Sequence, residues 1–419
     1  MPTASETRIA DVRVTPIAFY DPPLLNNAGC HEPFALRSII EVETEGGTIG
    51  LGESYGTQAV IDGLAAVAPT LVGLDVTDLN GLWSRCTATV EEQVIGYNTG
   101  DGRLIPRIIG AVEVACWDAF GKATGRRVCD LLGGQVRETV PFSAYLFYKF
   151  GRHAGDSADD DWGPVLTPEQ LVEEARRFVE GYGFRAIKLK AGILPVEDEL
   201  AGLAALRAAF PDAPLRIDPN GGWTVETTLG LLPRLTGLIE YLEDPTVGIE
   251  GNAAVQAKTD IPLATNMYVV TPEHLPPAIA QDAFRVILSD HHYWGGLQAS
   301  RELARICAIW GLGLSMHSNS HLGISLAAMA HLAAATPNLT YDCDTHYPWQ
   351  TDEVIEGGKL QFEQGALRLP DGPGLGVTLY RSELARLHRN YLDCGILVRN
   401  DADEMRKHQP DWEFARPRY

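Results

Sequence analysis

The sequence predicts an α/β fold whose larger part is a (β/α)8-type barrel, preceded by a smaller α+β region. Three observations predict it. A strand-plus-helix unit recurs from about residue 165 onward, apolar stripes at helical spacing lie between the strands, and nearly every predicted strand ends on a polar residue.

The first 140 residues are of the other kind. Arg37 to Thr44 (RSIIEVET) is strand-like, and Glu45-Gly46-Gly47-Thr48 makes a hairpin turn before Ile49. Ile105 to Thr124 has helical periodicity and stops near Gly125. Thr167-Pro168-Glu169-Gln170 then opens a helix, with Thr as N-cap, Pro at the first position and Gln three residues on. Leu171, Val172, Ala175, Phe178, Val179 and Tyr182 form its apolar stripe, and Gly181 and Gly183 stop it. Phe184 to Lys190 (FRAIKLK) alternates as a strand.

The unit repeats with strand ends near Lys190, Asp218, Glu243, Asn266, Asp290, His317 and Asp344, roughly 23 to 30 residues apart. Such spacing suits one strand and one crossover helix, in a barrel or in a doubly wound sheet. The barrel is favoured because no GxGxxG follows an early strand. Residues 151–166, with Asp156, Asp159, Asp160 and Asp161, read as a mobile loop and a candidate lid.

A chain of 419 residues holds two domains. Its formal charge of -21 argues against nucleic acid, whose phosphates such a surface repels, but not against a small anion held by local cations. No apolar run is long enough to span a membrane, and the N-terminus does not resemble a signal peptide. Seven cysteines without CxxC pairs suit reduced thiols, so the cytoplasm is the expected location.

In a barrel the chemistry gathers at the C-terminal ends of the strands. Asp218 (RIDPN), Glu243 (YLEDP) and Asn266 (ATNM) end three consecutive strands and offer only oxygen donors, which selects a hard cation such as Mg2+ over zinc. Singly, Asp218 and Glu243 also suit turns or helix caps; in register they suit a metal. Lys188 and Lys190, two apart on one strand, face the same side. Lys190 is then a candidate base, with the Lys188 ammonium lowering its pKa. His317 (GLSMHSNSH) and Asp290 (VILSDHHYW) end adjacent strands, so the carboxylate can orient the imidazole; His291, His292 and His321 are nearby alternatives. Two bases beside a carboxylate-binding cation suit abstraction of a proton α to a carboxylate, with the enediolate stabilised by the metal.

These residues carry a resemblance. YGFRAIKLKAGIL, RIDPNGGW, EDP, PLATNM, MHSNSHLGISLA and DTHYPWQ, together with LLNNAGCHEPFALR and LVRNDADEM near the two ends, resemble the glucarate dehydratase family of the enolase superfamily, in its mandelate racemase-like subgroup. The resemblance implies an N-terminal α+β capping domain over residues 1–140, completed by 375–419, and a modified (β/α)7β barrel over 141–374. It implies Lys190 and His317 as acid/base catalysts, Lys188 and Asp290 as their electrostatic supports, and Asp218, Glu243 and Asn266 as Mg2+ ligands. It also implies substrate contacts at Asn26, His31, Thr99, Tyr145, Asn220, Ser318, Asn319, His346 and Arg399. Arg399 suits the distal carboxylate of a sugar diacid.

The implied reaction is dehydration of D-glucarate or L-idarate, with epimerisation as a side path and a homo-oligomer as the assembly. Departures from the family pattern are Gly100 after Thr99, Ser320 after Asn319, and a shorter loop after Tyr145. They leave open a different acid sugar, a racemase, or a sugar-acid binder without activity.

Overall fold

A computed structural model of the chain describes residues 2–95 and 102–419. Thr99, expected to touch substrate, and Gly100 lie outside the described residues.

The N-terminal part is a three-stranded antiparallel sheet of β1 (Ile9–Tyr20), β2 (Phe34–Thr44) and β3 (Ile49–Tyr55), with β2 in the middle. The turn at residues 45–48 joins β2 to β3, as its Gly-Gly pair predicts. Helices α1 (Gln58–Leu71), α2 (Leu79–Thr89) and α3 (Leu104–Thr124) pack around one another, and α3 lies directly on β3. That approach is very close. A Cβ at Gly50 or Gly52 would collide with the carbonyl oxygens of Ala115 and Ala111, so only glycine fits there. Helix α3 ends on Gly125, at φ 65°, where the sequence places its stop.

The second part is a ring of parallel strands: β4 (Ala144–Leu146), β5 (Ile187–Lys190), β6 (Leu215–Asp218), β7 (Tyr241–Glu243), β8 (Leu263–Thr265), β9 (Val286–Ser289) and β10 (Gly313–Met316), paired in chain order. Residues 341–344 close the gap between β10 and β4. Asp344 N donates to Met316 O (2.9 Å) and Ser143 N to Cys343 O (2.8 Å). Alternation sorts each strand. Ile187, Leu189, Leu215, Ile217, Leu242, Leu263 and Ile287 pack in the large core under the helices, while Tyr241, Ala264, Val286 and Leu288 form a separate inner cluster. Two along from Tyr241, Ala264 and Leu288 stand the polar Glu243, Asn266 and Asp290 at the strand ends.

Helix α4 (Pro168–Tyr182) starts with the expected capping box: Gln170 N donates to Thr167 Oγ1 (3.3 Å), and Thr167 N to Gln170 Oε1 (3.1 Å). The following helices include α5 (Val196–Ala209), α6 (Val225–Leu235), α7 (Gly248–Gln256), α8 (Leu275–Ala280), α9 (Leu297–Trp310) and α10 (Gly323–Ala334).

The chain then returns to the first sheet. Helix α11 (Arg381–Cys394) packs on β1, with His388 Nδ1 2.7 Å from Pro16 O, and Arg381 pairs with Glu41. Helix α12 (Asp401–His408) follows.

In the loop at residues 151–166, read from the sequence as mobile and a candidate lid, residues 154–159 are exposed, while residues 160–163 are held: Lys149 Nζ meets Asp160 Oδ1 (2.8 Å) and Gly163 O (2.7 Å), and Arg177 donates to Asp161 O (3.0 Å). The Trp162 ring lies 4.4 Å from that of Trp349 and 5.3 Å from that of Phe178. Asp156, Asp159 and Asp161 are exposed, and the half-buried Trp162 packs against the core.

Among the described residues no helix is long and apolar enough to cross a membrane, and all seven cysteines are free.

Candidate active site

The strand ends converge on one cavity between barrel and cap. Lys190, Asn220, Asn266 and His317 line it from the barrel. Asn26, His31 and Arg399 line it from the cap side, and of the other expected residues Tyr145, Asn319 and His346 line it as well. Ser318 is not among the lining residues, and its buried Oγ, just after His317, has no hydrogen-bond partner. Phe147, Met267 and Tyr293 also line the cavity, and sequence reading gave no signal for them.

Beneath the cavity lies a buried charge cluster. Lys188 Nζ sits 2.7 Å from Glu243, 2.7 Å from Asp344 and 3.4 Å from Asp218. Burial opposes its charge, but Asp344 and Glu243 win and hold the Lys188 pKa well above the ordinary lysine value. Lys188 is therefore an ammonium. Lys190 Nζ reaches Asp218 Oδ2 at 2.6 Å and Asn220 Oδ1 at 2.8 Å. Both lysines thus face inward, as their spacing predicts, and share Asp218.

Burial raises the Asp218 carboxyl, yet Lys190 and Lys188 bring it below the usual range. Glu243 goes the other way: burial and the neighbouring Asp218 push it well above that range. Asp344 was legible only as a strand end. Its charge at an inward position was the available sign that it joins the cluster.

Asp218, Glu243 and Asn266 end neighbouring strands β6, β7 and β8. Asn266 Oδ1 is buried and has no hydrogen-bond partner, which leaves an oxygen donor for a cation. Asp244, at φ 38°, accepts from Asn266 N (2.9 Å) and Met267 N (3.2 Å) through one oxygen and so fixes the Asn266 backbone. The three oxygen donors, two of them carboxylates, fit Mg2+.

Across the ring, Asp290 Oδ2 is 2.9 Å from His317 Nδ1. Burial raises the Asp290 carboxyl, but His292 and His317 hold it well below the usual carboxylate range, so it is ionised. An ionised acceptor at Nδ1 places the His317 ring proton there and leaves Nε2 as the basic nitrogen. The ring stacks on Tyr293, with centroids 5.4 Å apart.

The remaining polar groups are held by neighbours. Asn26 Nδ2 donates to Asp401 Oδ2 (2.9 Å), and His31 Nδ1 lies 3.0 Å from Asp21 Oδ2. Arg399 makes a two-pronged pair with Asp401 (2.6 and 3.1 Å) and reaches Asp21 at 3.3 Å. Tyr145 Oη lies 3.4 Å from Asp218 Oδ2. Burial, with His31 and His317 nearby, drives the His346 pKa well below its ordinary value, so this ring is neutral. The partners Asp21 and Asp401 stand in loop and tail, without a sequence pattern that marks them.

Known proteins fit this arrangement. Residues 31–133 match the mandelate racemase / muconate lactonizing enzyme N-terminal domain, and residues 170–383 match the enolase C-terminal domain-like family. A probable glucarate dehydratase of Streptomyces coelicolor is 48% identical over 96% of this chain and 97% of its own length. An enolase from Gibberella zeae PH-1, solved with magnesium, formate and sulfate, superposes with a TM-score of 0.96 at 51% identity, covering 99% of this chain and 98% of its own. Another, from Pseudomonas fluorescens Pf0-1 with bound magnesium, potassium and tartrate, gives a TM-score of 0.95 at 48% identity, over 98% of this chain and 99% of its own. The capping sheet, the ring of parallel strands with its acidic and basic ends, and these matches together show that the chain belongs to the enolase superfamily.

Proposed function

We propose that the chain is a hydro-lyase that dehydrates a hexarate, D-glucarate or L-idarate, to a 5-keto-4-deoxyglucarate-type diacid. The observation that carries this reading is the pair of candidate bases on opposite walls of one cavity, Lys190 at the end of β5 and His317 just after β10, above a cluster of oxygen donors. In this reading residues 1–140 and 375–419 form the cap, and 141–374 carry the chemistry.

Asp218, Glu243 and Asn266 would hold Mg2+. When bound, the ion supplies the positive charge that makes a proton α to the substrate carboxylate acidic enough to remove. Lys190 or His317 takes that proton, according to the configuration of the carbon. Lys190 is held on the cavity side by Asp218 and Asn220, and His317 by Asp290, so each presents one nitrogen to one face. Protonated His317 then gives its proton to the departing β-hydroxyl. The C–O bond breaks, water leaves, and the enol tautomerises to the ketone. Return of the α-proton on the opposite face epimerises glucarate and idarate instead.

Arg399 and His31 on the cap side suit the distal carboxylate, and Asn26, Thr99, Tyr145, Asn220, Ser318, Asn319 and His346 suit the hydroxyls. The Streptomyces relative's name and the tartrate, a hydroxylated diacid, in the Pseudomonas neighbour support a diacid substrate.

A second reading keeps the mechanism and changes the acid sugar. Ser320, a position where the sequence departs from the family pattern, lines a neighbouring cavity that shares Tyr293, Asn319 and Arg399 with the first. Incubation of Mg2+-loaded protein with glucarate, idarate, galactarate and several hexonates, with assay for keto acid, separates the readings. Product from glucarate or idarate is expected. Product only from another acid favours the second reading, and no product from any, with tight diacid binding, favours a binder without activity.

A further inference from the structure

His292 was weighed in the sequence only as an alternative to His317. It is fully buried and does not line the cavity. Its Nδ1 lies 2.9 Å from Asp290 Oδ1, and its backbone N donates to the same oxygen at 2.9 Å. Asp290 Oδ2 is the atom that meets His317. One carboxylate oxygen is therefore committed to His292 and the other to His317.

The far nitrogen of His292 is held from two sides. Arg37 Nη2, from the cap strand β2, lies 3.2 Å from Nε2, and Ser325 Oγ of α10 lies 3.1 Å away. Arg37 is itself fixed by Glu53 Oε1 at 2.8 Å, and Glu53 also accepts from Leu322 N (2.9 Å) and Ser325 N (2.8 Å) of the barrel. A guanidinium only donates. The Glu53 carbonyl oxygen also lies 3.1 Å from Nε2. At the other end of the ring the ionised Asp290 carboxylate can only accept, so Nδ1 donates to it.

We infer that His292 is a positioning residue for the reaction: with its backbone N and ring Nδ1 both on Asp290 Oδ1, and its far side packed on Arg37 of the cap, it fixes the Asp290 carboxylate and through it the orientation of His317. The inference rests on the reading of His317 as one of two bases. It also makes the cap part of the base's support, since Arg37 and Glu53 belong to β2 and β3.

Two measurements test it. In wild-type protein labelled with [15N]histidine, the His292 imidazole signals, assigned by loss in His292→Asn, should show a proton on Nδ1. An Nδ1 without a proton overturns the inference, and this arm needs neither activity nor a foldable Phe variant. In the second, glucarate and idarate turnover and α-proton exchange in deuterated solvent are compared for His292→Asn and His292→Phe. The Asn amide nitrogen stands where Nδ1 stood and keeps the donor to Asp290; Phe keeps the ring's bulk and loses it.

His292→Phe should lower the His317-dependent steps about 10²-fold, as expected for a misplaced catalytic group, and leave Lys190-face exchange within about threefold. His292→Asn should recover most of the loss. Equal loss on both faces in the Phe variant, or no loss, overturns the inference. A wild-type protein that neither exchanges protons nor forms keto acid would instead overturn the proposed function, with the Nδ1–H result still standing.

Discussion

Replacing Lys188 with Met removes the one ammonium that three buried carboxylates share. Its Nζ lies 2.7 Å from Glu243, 2.7 Å from Asp344 and 3.4 Å from Asp218, with the side chain fully buried. At an effective dielectric near 20 and charge centres about 4 Å apart, each close contact is worth about 4 kcal/mol before desolvation is subtracted. Met fills much of the same volume but leaves like charges facing one another. Breaking such a cluster by removing one partner costs about 3–5 kcal/mol.

A divalent cation should restore part of that loss, because its charge replaces the missing ammonium. At a hundred times its Kd, a ligand specific to the folded state adds about 2.7 kcal/mol. The site in Lys188→Met carries one more negative charge, so its gain from Mg2+ should exceed that of wild type. Urea midpoints for both proteins, with and without Mg2+, read this directly. A variant as stable as wild type without metal would refute the reasoning, and so would equal Mg2+ shifts in the two proteins.

Three further outcomes follow from the same geometry. Asp290→Asn should slow the His317-dependent steps by up to about 10⁴-fold, the effect of an equivalent amide substitution in a His-carboxylate pair, while Lys190-face exchange persists; equal slowing of both faces would contradict the pairing. Glu113 on α3 accepts from Leu297 N (2.7 Å) and Gln298 N (3.0 Å) at the start of α9, and burial raises its pKa from 4.5 to about 7. Because the folded state holds that proton more tightly, its contribution is full below pH 4.5, is lost as pH rises to about 7, and is flat beyond. The urea midpoint of wild type relative to Glu113→Gln should therefore fall across that window, and parallel curves would refute it. Gly50→Ala forces a methyl group into the Ala115 carbonyl and should cost about 1–3 kcal/mol by overpacking; an unchanged urea midpoint would show that β3 and α3 do not pack so closely.

The barrel and its strand ends were legible in the sequence because a strict period carries them. One strand and one helix recur, and each strand closes on a polar residue just past an alternating apolar run. Thus Lys190, Asp218, Glu243, Asn266, Asp290 and His317 could be read in order before any contact was known. Contacts between distant segments leave no such period. Arg37, Glu53 and His292 meet across 255 residues of chain, and Glu113 meets α9 across 184.

Ser318 stands between His317 and Asn319, which line the cavity, and position alone gave no sign that its Oγ is buried without a partner. At 151–166 the acidic residues are conspicuous in the sequence, while the contact of the Trp162 ring with Trp349 left no sign there.

Proton exchange at the α-carbon of D-glucarate and L-idarate, followed by NMR in deuterated solvent for Mg2+-loaded wild type, Lys190→Ala and His317→Asn, reads the two-base arrangement itself. Lys190→Ala should lose exchange and turnover of one epimer and keep exchange of the other. His317→Asn should show the opposite preference and form no keto acid. Undiminished exchange of both epimers in either variant, or the same loss of both epimers in both variants, would contradict a site built from two opposed bases.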